Sequence, residues 1–297
     1  MEIEIIKTKP KKVNFFTIIF VCLVLGAIIY GVIRSFQAES KETISKEITN
    51  NEVNDDVTEV NTNTIEEQKT SLIKIPIIDE VASEKINNIY KSEIKRAFLT
   101  FDDGPSPNVT PLILDVLKEN GIKATFFMLG NRVDTYPKIA KRVYEEGHYI
   151  GNHGYYHIYS KIYETPQSVL TEYEQCEYAI RTAIEQPEYT SRLFRFPGGL
   201  AGGPYAEIKK QATEILKQNN IAHVDWNCLT QDSAGKYTKE QLLQNLKDTA
   251  YGKNSIVILM HDAGDKILTY EMLQDAINYL REEGYIFCSF YDIMSFK

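Results

Sequence analysis

The chain has 297 residues, with 33 Lys and Arg against 41 Asp and Glu for a formal net charge of -8. That length can bury a sizeable core, as one domain of about 200 residues plus appendages. The acidic balance, without a basic stripe, excludes nucleic acid as the expected partner. Cys22, Cys176, Cys228 and Cys288 are far apart and lack C-x-x-C spacing, which argues against a disulfide framework or a thiolate zinc site.

Residues 14–33, opening on Asn14 and closing on Ile33, form a run of 20 residues without a charge. That is about the length a helix needs to cross a bilayer core. Lys7, Lys9, Lys11 and Lys12 precede it, which predicts a cytoplasmic tail over residues 1–13 and a body on the outer side of the cell membrane. The competing reading is a cleaved signal peptide, but its apolar region is usually about 7–15 residues, and no small-x-small cleavage site follows here.

Residues 34–93 are expected as a flexible acidic linker and lead-in. From Ser35 to Ser71 nine acids face Lys41, Lys46 and Lys69, and the scattered Ile and Val keep no period. Such a segment buries too little apolar surface to offset its ordering entropy. The lead-in is ambiguous, since Ile73, Ile75 and Ile77 alternate like a strand while Ile86, Ile89 and Tyr90 keep helical spacing.

From residue 94 to 297 short apolar runs alternate with amphipathic segments. Strands are predicted at 97–101, 124–129, 148–150, 193–196, 222–226, 255–260 and 285–288. The clearest helix is 268–283, with Leu268, Met272, Ala276, Ile277 and Leu280 on one face and Gly284 as the stop. Pro111, Pro137 and Pro166 sit near helix starts. The alternation implies an α/β fold with a parallel sheet covered by helices, either a barrel or an open doubly wound sheet. In both, chemistry gathers beyond the carboxyl ends of the strands. Asp102, Asp103, His153, Arg195, Asp225 and His261 all fall at or just past such ends.

The most telling stretch is Thr100-Phe101-Asp102-Asp103-Gly104-Pro105-Ser106. Two adjacent carboxylates after a strand can converge on one point, where a cation or a proton must relieve their repulsion. One is expected as a metal ligand and the other as a base beside it. His153 and His157 stand four apart. By itself such a pair is often just a polar loop; with a carboxylate, two imidazoles leave coordination positions open for water and substrate.

Arg195 precedes the turn Pro197-Gly198-Gly199 and is suited to pair with a buried carboxylate, while the turn's backbone N–H groups could face an oxyanion. Arg192 reads as a strand-edge residue. Trp226 is the only tryptophan, and core packing is its ordinary reading. His261 closes the apolar run 255–260. A lone His there is usually structural, but beside a metal site and a base it becomes the general acid. His148 and His223 are assigned no role.

In this order, the pieces resemble the polysaccharide deacetylases of the NodB-homology type, carbohydrate esterase family 4, over roughly Lys95 to Phe296. The resemblance implies a distorted (β/α) barrel and hydrolysis of the N-acetyl group from N-acetylglucosamine-type sugars. It also implies one divalent metal, commonly zinc or cobalt. By position it makes Asp102 the general base, oriented by Arg195, and Asp103 a metal ligand with His153 and His157. Gly198 would offer its N–H to the oxyanion. Trp226 and Leu259 would line the slot for the acetyl methyl group, and His261, tuned by Asp232, would protonate the leaving amine.

Three positions depart from the family pattern: Gly154 where Ser or Thr is usual, Gly198 where an aromatic residue is common, and Ser233 where many members have Trp. The expected whole is a membrane-anchored, extracellular, monomeric deacetylase of a surface polysaccharide, with peptidoglycan first among the candidates. A rival is a non-catalytic glycan-binding protein on the same fold, against which the intact Asp102, Asp103, His153, His157 and His261 argue. Metal-free glycosidase chemistry would need its carboxylates about 5–10 Å apart and gives the histidines no task.

Overall fold

The computed structural model describes residues 74–297, so the predicted tail, membrane span and linker lie outside the described residues, as does Cys22. Among the described residues no helix is long and apolar enough to cross a membrane. The ambiguous lead-in resolves into both of its patterns in turn: a strand β1 (Pro76–Ile77), then a helix α1 (Glu80–Asn87). Asp79 caps that helix by accepting from the Ala82 N–H at 2.8 Å. Ile86 and Ile89 enter a core cluster with Phe98, Val257 and Phe290.

The chain continues through β2 (Arg96–Asp102), α2 (Thr110–Glu119), β3 (Thr125–Met128), α3 (Gly130–Thr135), α4 (Pro137–Glu145) and β4 (Tyr149–Asn152). Next come α5 (Tyr159–Ile162), α6 (Pro166–Ile184), β5 (Leu193–Phe194), α7 (Ala206–Gln218), β6 (Ala222–His223) and β7 (Cys228–Leu229). Last are α8 (Lys239–Ala250), β8 (Ser255–His261), α9 (Ile267–Glu282), β9 (Ile286–Cys288) and β10 (Ser295–Phe296). All seven predicted strands are present, and the predicted helix 268–283 is α9, offset by one residue.

The main sheet has the order β6-β5-β4-β3-β2-β8-β7, with β9 also on β2, and every pairing in it is parallel. A separate antiparallel pair, β1 with β10, ties the first described residues to the chain's end. Strands β6 and β7 stand at opposite ends of the main sheet, yet only residues 224–227 join them. Five residue steps reach about 18 Å. The ends of a flat seven-stranded sheet lie about 29 Å apart. The sheet is therefore curled, an incomplete parallel barrel that stays unpaired between β6 and β7, and this selects the distorted barrel over the open sheet.

Side-chain alternation along the strands then sorts the residues into two faces. On β2, Ala97, Leu99 and Phe101 pack outward under the helices, whereas Phe98 points to the inner cluster with Phe127, Tyr149, Leu193 and Val257. Thr100 and Asp102 share the face of Phe98. On β8 the same parity puts Ile256, Ile258 and Met260 outward, and Val257, Leu259 and His261 inward. Asp102 and His261 thus finish the interior faces of two neighbouring strands. Cys176 and Cys228 are buried free thiols, and Cys288 is partly buried and free.

Candidate active site

Strands β2 and β8 pair along their whole length, and the last register pair is Asp102 with His261. Asp102 is buried, and Arg195, just after β5 and fully buried, donates from Nη1 to its Oδ1 at 2.8 Å. The same Nη1 donates to Thr100 Oγ1 at 2.7 Å, while Nε and Nη2 reach the Val224 and Asp225 carbonyls at 3.2 Å each. The guanidinium lies 4.0 Å from the Phe127 ring centroid. With its donors committed and its face covered, Arg195 holds one orientation, and so does the carboxylate it grips. Burial pushes the Asp102 carboxyl above its ordinary range, opposed by the charges of Arg195 and His261.

Asp103 is in the left-handed region (φ 73°), and its carboxylate and that of Asp102 both approach His153 Nε2, Asp102 Oδ2 at 3.9 Å. Asp103 Oδ1 lies 3.6 Å from His153 Nε2 and 3.5 Å from His157 Nε2. It is a buried oxygen without a hydrogen-bond partner. One ligand atom from each of Asp103, His153 and His157 falls within 4.8 Å of the others. His153 Nδ1 meets the Arg195 carbonyl at 2.8 Å, so Nδ1 carries the proton and Nε2 presents its lone pair. Burial lowers the pKa of His153 to about 3, which keeps that imidazole neutral. A buried carboxylate oxygen without a donor, facing the Nε2 atoms of two imidazoles, fits a divalent cation.

The histidine loop is braced despite Gly154. Asn152 Oδ1 accepts from the Gly154 N–H at 3.0 Å. Buried Glu172 on α6 accepts from the Tyr155 and Tyr156 N–H groups at 2.6 and 2.9 Å. These bonds hold the segment between the two histidines without a hydroxyl at position 154.

His261 Nδ1 meets Asp232 Oδ1 at 2.8 Å, leaving Nε2 as its free nitrogen. Asp232 Oδ2 accepts from the His261 N–H at 2.7 Å and from Thr269 Oγ1 at 2.8 Å. Burial by itself would lower the pKa of His261; the Asp232 hydrogen bond and charge, with Asp102 and Asp103 behind, carry it up to about 9. The imidazolium is therefore the resting form. Burial likewise opposes ionisation of Asp232, but its bonds to His261 and Thr269 win, and its pKa is lowered. Ser233, beside it, is exposed.

The turn after Phe196 is pinned at several points. Tyr163 donates to the Pro197 carbonyl at 2.7 Å, and Lys209 Nζ to the Gly199 carbonyl at 2.6 Å. The Leu200 N–H donates to both Asp225 oxygens, at 3.1 and 3.0 Å. The exposed Gly198 keeps its N–H free of any hydrogen bond among the described residues. Trp226 leaves no room for a Cβ on Gly199, and Leu259 is on the inner face of β8 two residues before His261.

Sequence reasoning missed several supporting groups. Lys209, only 4% exposed, sits on an amphipathic helix where a lysine normally reads as solvated. Asp262 is buried, with one oxygen accepting from Thr110 Oγ1 at 2.6 Å and the other without a partner. Burial raises its pKa to about 7. A Cβ at Gly104 would overlap the Asp262 carboxylate, so glycine is required where the two strand-end loops meet. His148 and His223 stay outside the site: His148 Nδ1 accepts from the Ala124 N–H at 3.1 Å, and His223 lies on β6.

A family model described as polysaccharide deacetylase matches residues 90–224. The putative polysaccharide deacetylase YheN of Bacillus subtilis is 36% identical over 208 residues, covering 67% of this chain and 68% of that protein. A peptidoglycan-N-acetylglucosamine deacetylase of Bacillus cereus is 30% identical over 200 residues, 67% of this chain and 88% of the other. The peptidoglycan-N-acetylglucosamine deacetylase PgdA of Listeria monocytogenes is 34% identical over 221 residues, 73% of this chain; the match spans only 40% of that longer protein. Among solved structures, a Streptococcus mutans CE4 esterase superposes with a TM-score of 0.63 at 29% identity, covering 72% of this chain and 92% of that one. With the parallel half-barrel and the strand-end residues in place, the chain belongs to the polysaccharide deacetylase family.

Proposed function

We propose that the protein hydrolyses the N-acetyl group of N-acetylglucosamine-type residues in a cell-wall polysaccharide, with peptidoglycan as the substrate, releasing acetate and leaving a free amine on the sugar. The observation that carries this is the side-by-side placement of Asp102 and His261, each with its own partner, next to the Asp103, His153 and His157 cluster. Names of the related Bacillus and Listeria proteins support peptidoglycan.

Asp103, His153 and His157 would hold one divalent cation, zinc by the mixed imidazole and carboxylate set, which when bound supplies Lewis-acid polarisation and acidifies a water. Asp102 takes a proton from the attacking water, its carboxylate held by Arg195. The free Gly198 N–H stabilises negative charge on the carbonyl oxygen as the C–O bond forms. His261 delivers its Nε2 proton to the amide nitrogen as the C–N bond breaks, and Asp232 keeps it charged until then. Trp226 and Leu259 shape the acetyl slot. A purely glycan-binding role leaves the Asp102–Arg195 and His261–Asp232 pairs without a task.

Residues 14–33 anchor this domain at the cell membrane, with residues 94–297 outside and within reach of the wall. Recovery of the full chain in the membrane fraction, and its loss after deletion of 14–33, checks the anchor; recovery unaffected by the deletion refutes it. The catalytic reading is tested by acetate release from purified peptidoglycan and from chitooligosaccharides, with and without chelator. Release from peptidoglycan that stops with chelator is expected; no release from either glycan in the presence of zinc or cobalt would overturn it.

A further inference from the structure

Gly198 gives the pinned turn no side chain at its tip, and another element takes the space. A Cβ on Gly198 would lie 2.6 Å from Tyr159 Oη, closer than real contacts allow, and a tight 3.2 Å from its Cζ. Tyr159 therefore stands where a side chain at 198 would project. The turn is not free to shift toward or away from it, because Tyr163, Lys209 and Asp225 hold it. Tyr159 opens α5, two residues after His157, and its ring centroid is 5.4 Å from that imidazole. Tyr163 and Tyr205 support the ring from behind, at 5.8 and 6.4 Å.

Despite these neighbours Tyr159 is 40% exposed, and its hydroxyl makes no hydrogen bond among the described residues. A ring held rigidly on three sides, with an open side and a free hydroxyl, loses little entropy on meeting a ligand. Aromatic faces pack against the C–H groups of pyranose rings, and a phenol adds a donor to a sugar oxygen.

We propose that Tyr159 contacts the substrate and forms the sugar-facing wall of the site beside Gly198, receiving the N-acetylglucosamine unit that is deacetylated. This rests on the deacetylase reading above. A bland alternative is that Tyr159 only steadies His157, and bound metal separates the two.

The test compares the full chain with its Tyr159→Ala and Tyr159→Phe variants. One readout is binding of N-acetylchitotetraose to chelator-treated protein, followed by fluorescence of Trp226, the single tryptophan, which packs against the same turn at Gly199. The other is KM, kcat and bound metal for acetate release from the glycan that the parent protein cleaves. Tyr159→Ala should raise Kd and KM about tenfold with bound metal unchanged, and Tyr159→Phe should stay within about threefold. A Tyr159→Ala protein with Kd and KM within about twofold of the parent overturns the assignment. So does loss of metal at unchanged KM, which would make Tyr159 a support for His157. If the parent itself neither binds nor cleaves any glycan offered, the deacetylase reading fails, and the role of Tyr159 fails with it.

Discussion

Asp102 and His261 are register partners at the ends of adjacent parallel strands, yet each is tuned by a residue from elsewhere in the chain. Arg195, following β5, grips Asp102, and Asp232, in the loop after β7, grips His261. The proposed mechanism gives the two groups opposite tasks at one reaction centre. That division is what amide hydrolysis requires, since the same step needs a base for water and an acid for a poor leaving group.

The pair makes a pH prediction with a definite sign. His261 has its pKa raised to about 9, so it is charged below that value and loses its proton as pH rises through it. The alkaline limb of kcat should therefore fall near pH 9. The stability contributed by the His261–Asp232 pair should be fully present below the ordinary histidine value of about 6.5 and lost as pH rises through about 9. Asp232→Asn leaves burial unopposed by the nearest charge. It should move the alkaline limb to lower pH and reduce kcat at pH 8 by about 100-fold or more. A pH–rate profile of that variant superimposable on the parent's would refute the tuning role.

Lys209 should matter to the chemical step, although it is remote from Asp102 in sequence and lies on an outer helix. Its Nζ bond to the Gly199 carbonyl fixes the turn that presents the Gly198 N–H. Lys209→Met keeps most of the apolar stem but removes that bond. The expected result is a fall in kcat of about tenfold to 100-fold, with KM and bound metal near parental values and partial recovery in Lys209→Arg. Steady-state kinetics with metal analysis on the same samples would show it, and unchanged kcat would contradict it.

Gly104 is where the loops after β2 and β8 touch. Gly104→Ala drives a methyl group into the buried Asp262 carboxylate, which is already held by Thr110. Overpacking of this kind costs about 1–3 kcal/mol. Thermal unfolding should show a midpoint lowered by several degrees, whereas an unshifted midpoint would mean the loops separate freely.

Much of this was legible in the chain itself, and the reasons differ by element. The buried strands β2, β3 and β8 are continuous apolar runs, as strands covered on both faces must be. The polar residues ending the β2 and β8 runs, Asp102, Asp103 and His261, stand out by contrast. Strand β7 is only Cys228–Leu229 and has no run to detect, and β10 is equally short. The alternation of strands and helices left the curling of the sheet open, because it follows from β6 and β7 occupying opposite ends, and only the family resemblance implied a barrel. Lys209, Glu172 and Tyr159 escaped for a further reason. Each acts on a loop brought near only by the tertiary fold, and in sequence each is an ordinary helix residue. Gly154 lacks the hydroxyl usual at that position, and in the fold Asn152 and Glu172 brace the histidine loop instead.

The proposed mechanism assigns different work to adjacent carboxylates, Asp103 with His153 and His157 holding the cation and Asp102 taking the proton. The direct test measures bound metal and acetate release on the same preparations of Asp102→Asn, Asp103→Asn and His153→Ala. Asp102→Asn should keep metal near the parental ratio while acetate release falls by at least about 100-fold. Asp103→Asn and His153→Ala should lose both metal and activity. Loss of metal from Asp102→Asn, or a parental metal ratio in His153→Ala, would refute this division of labour.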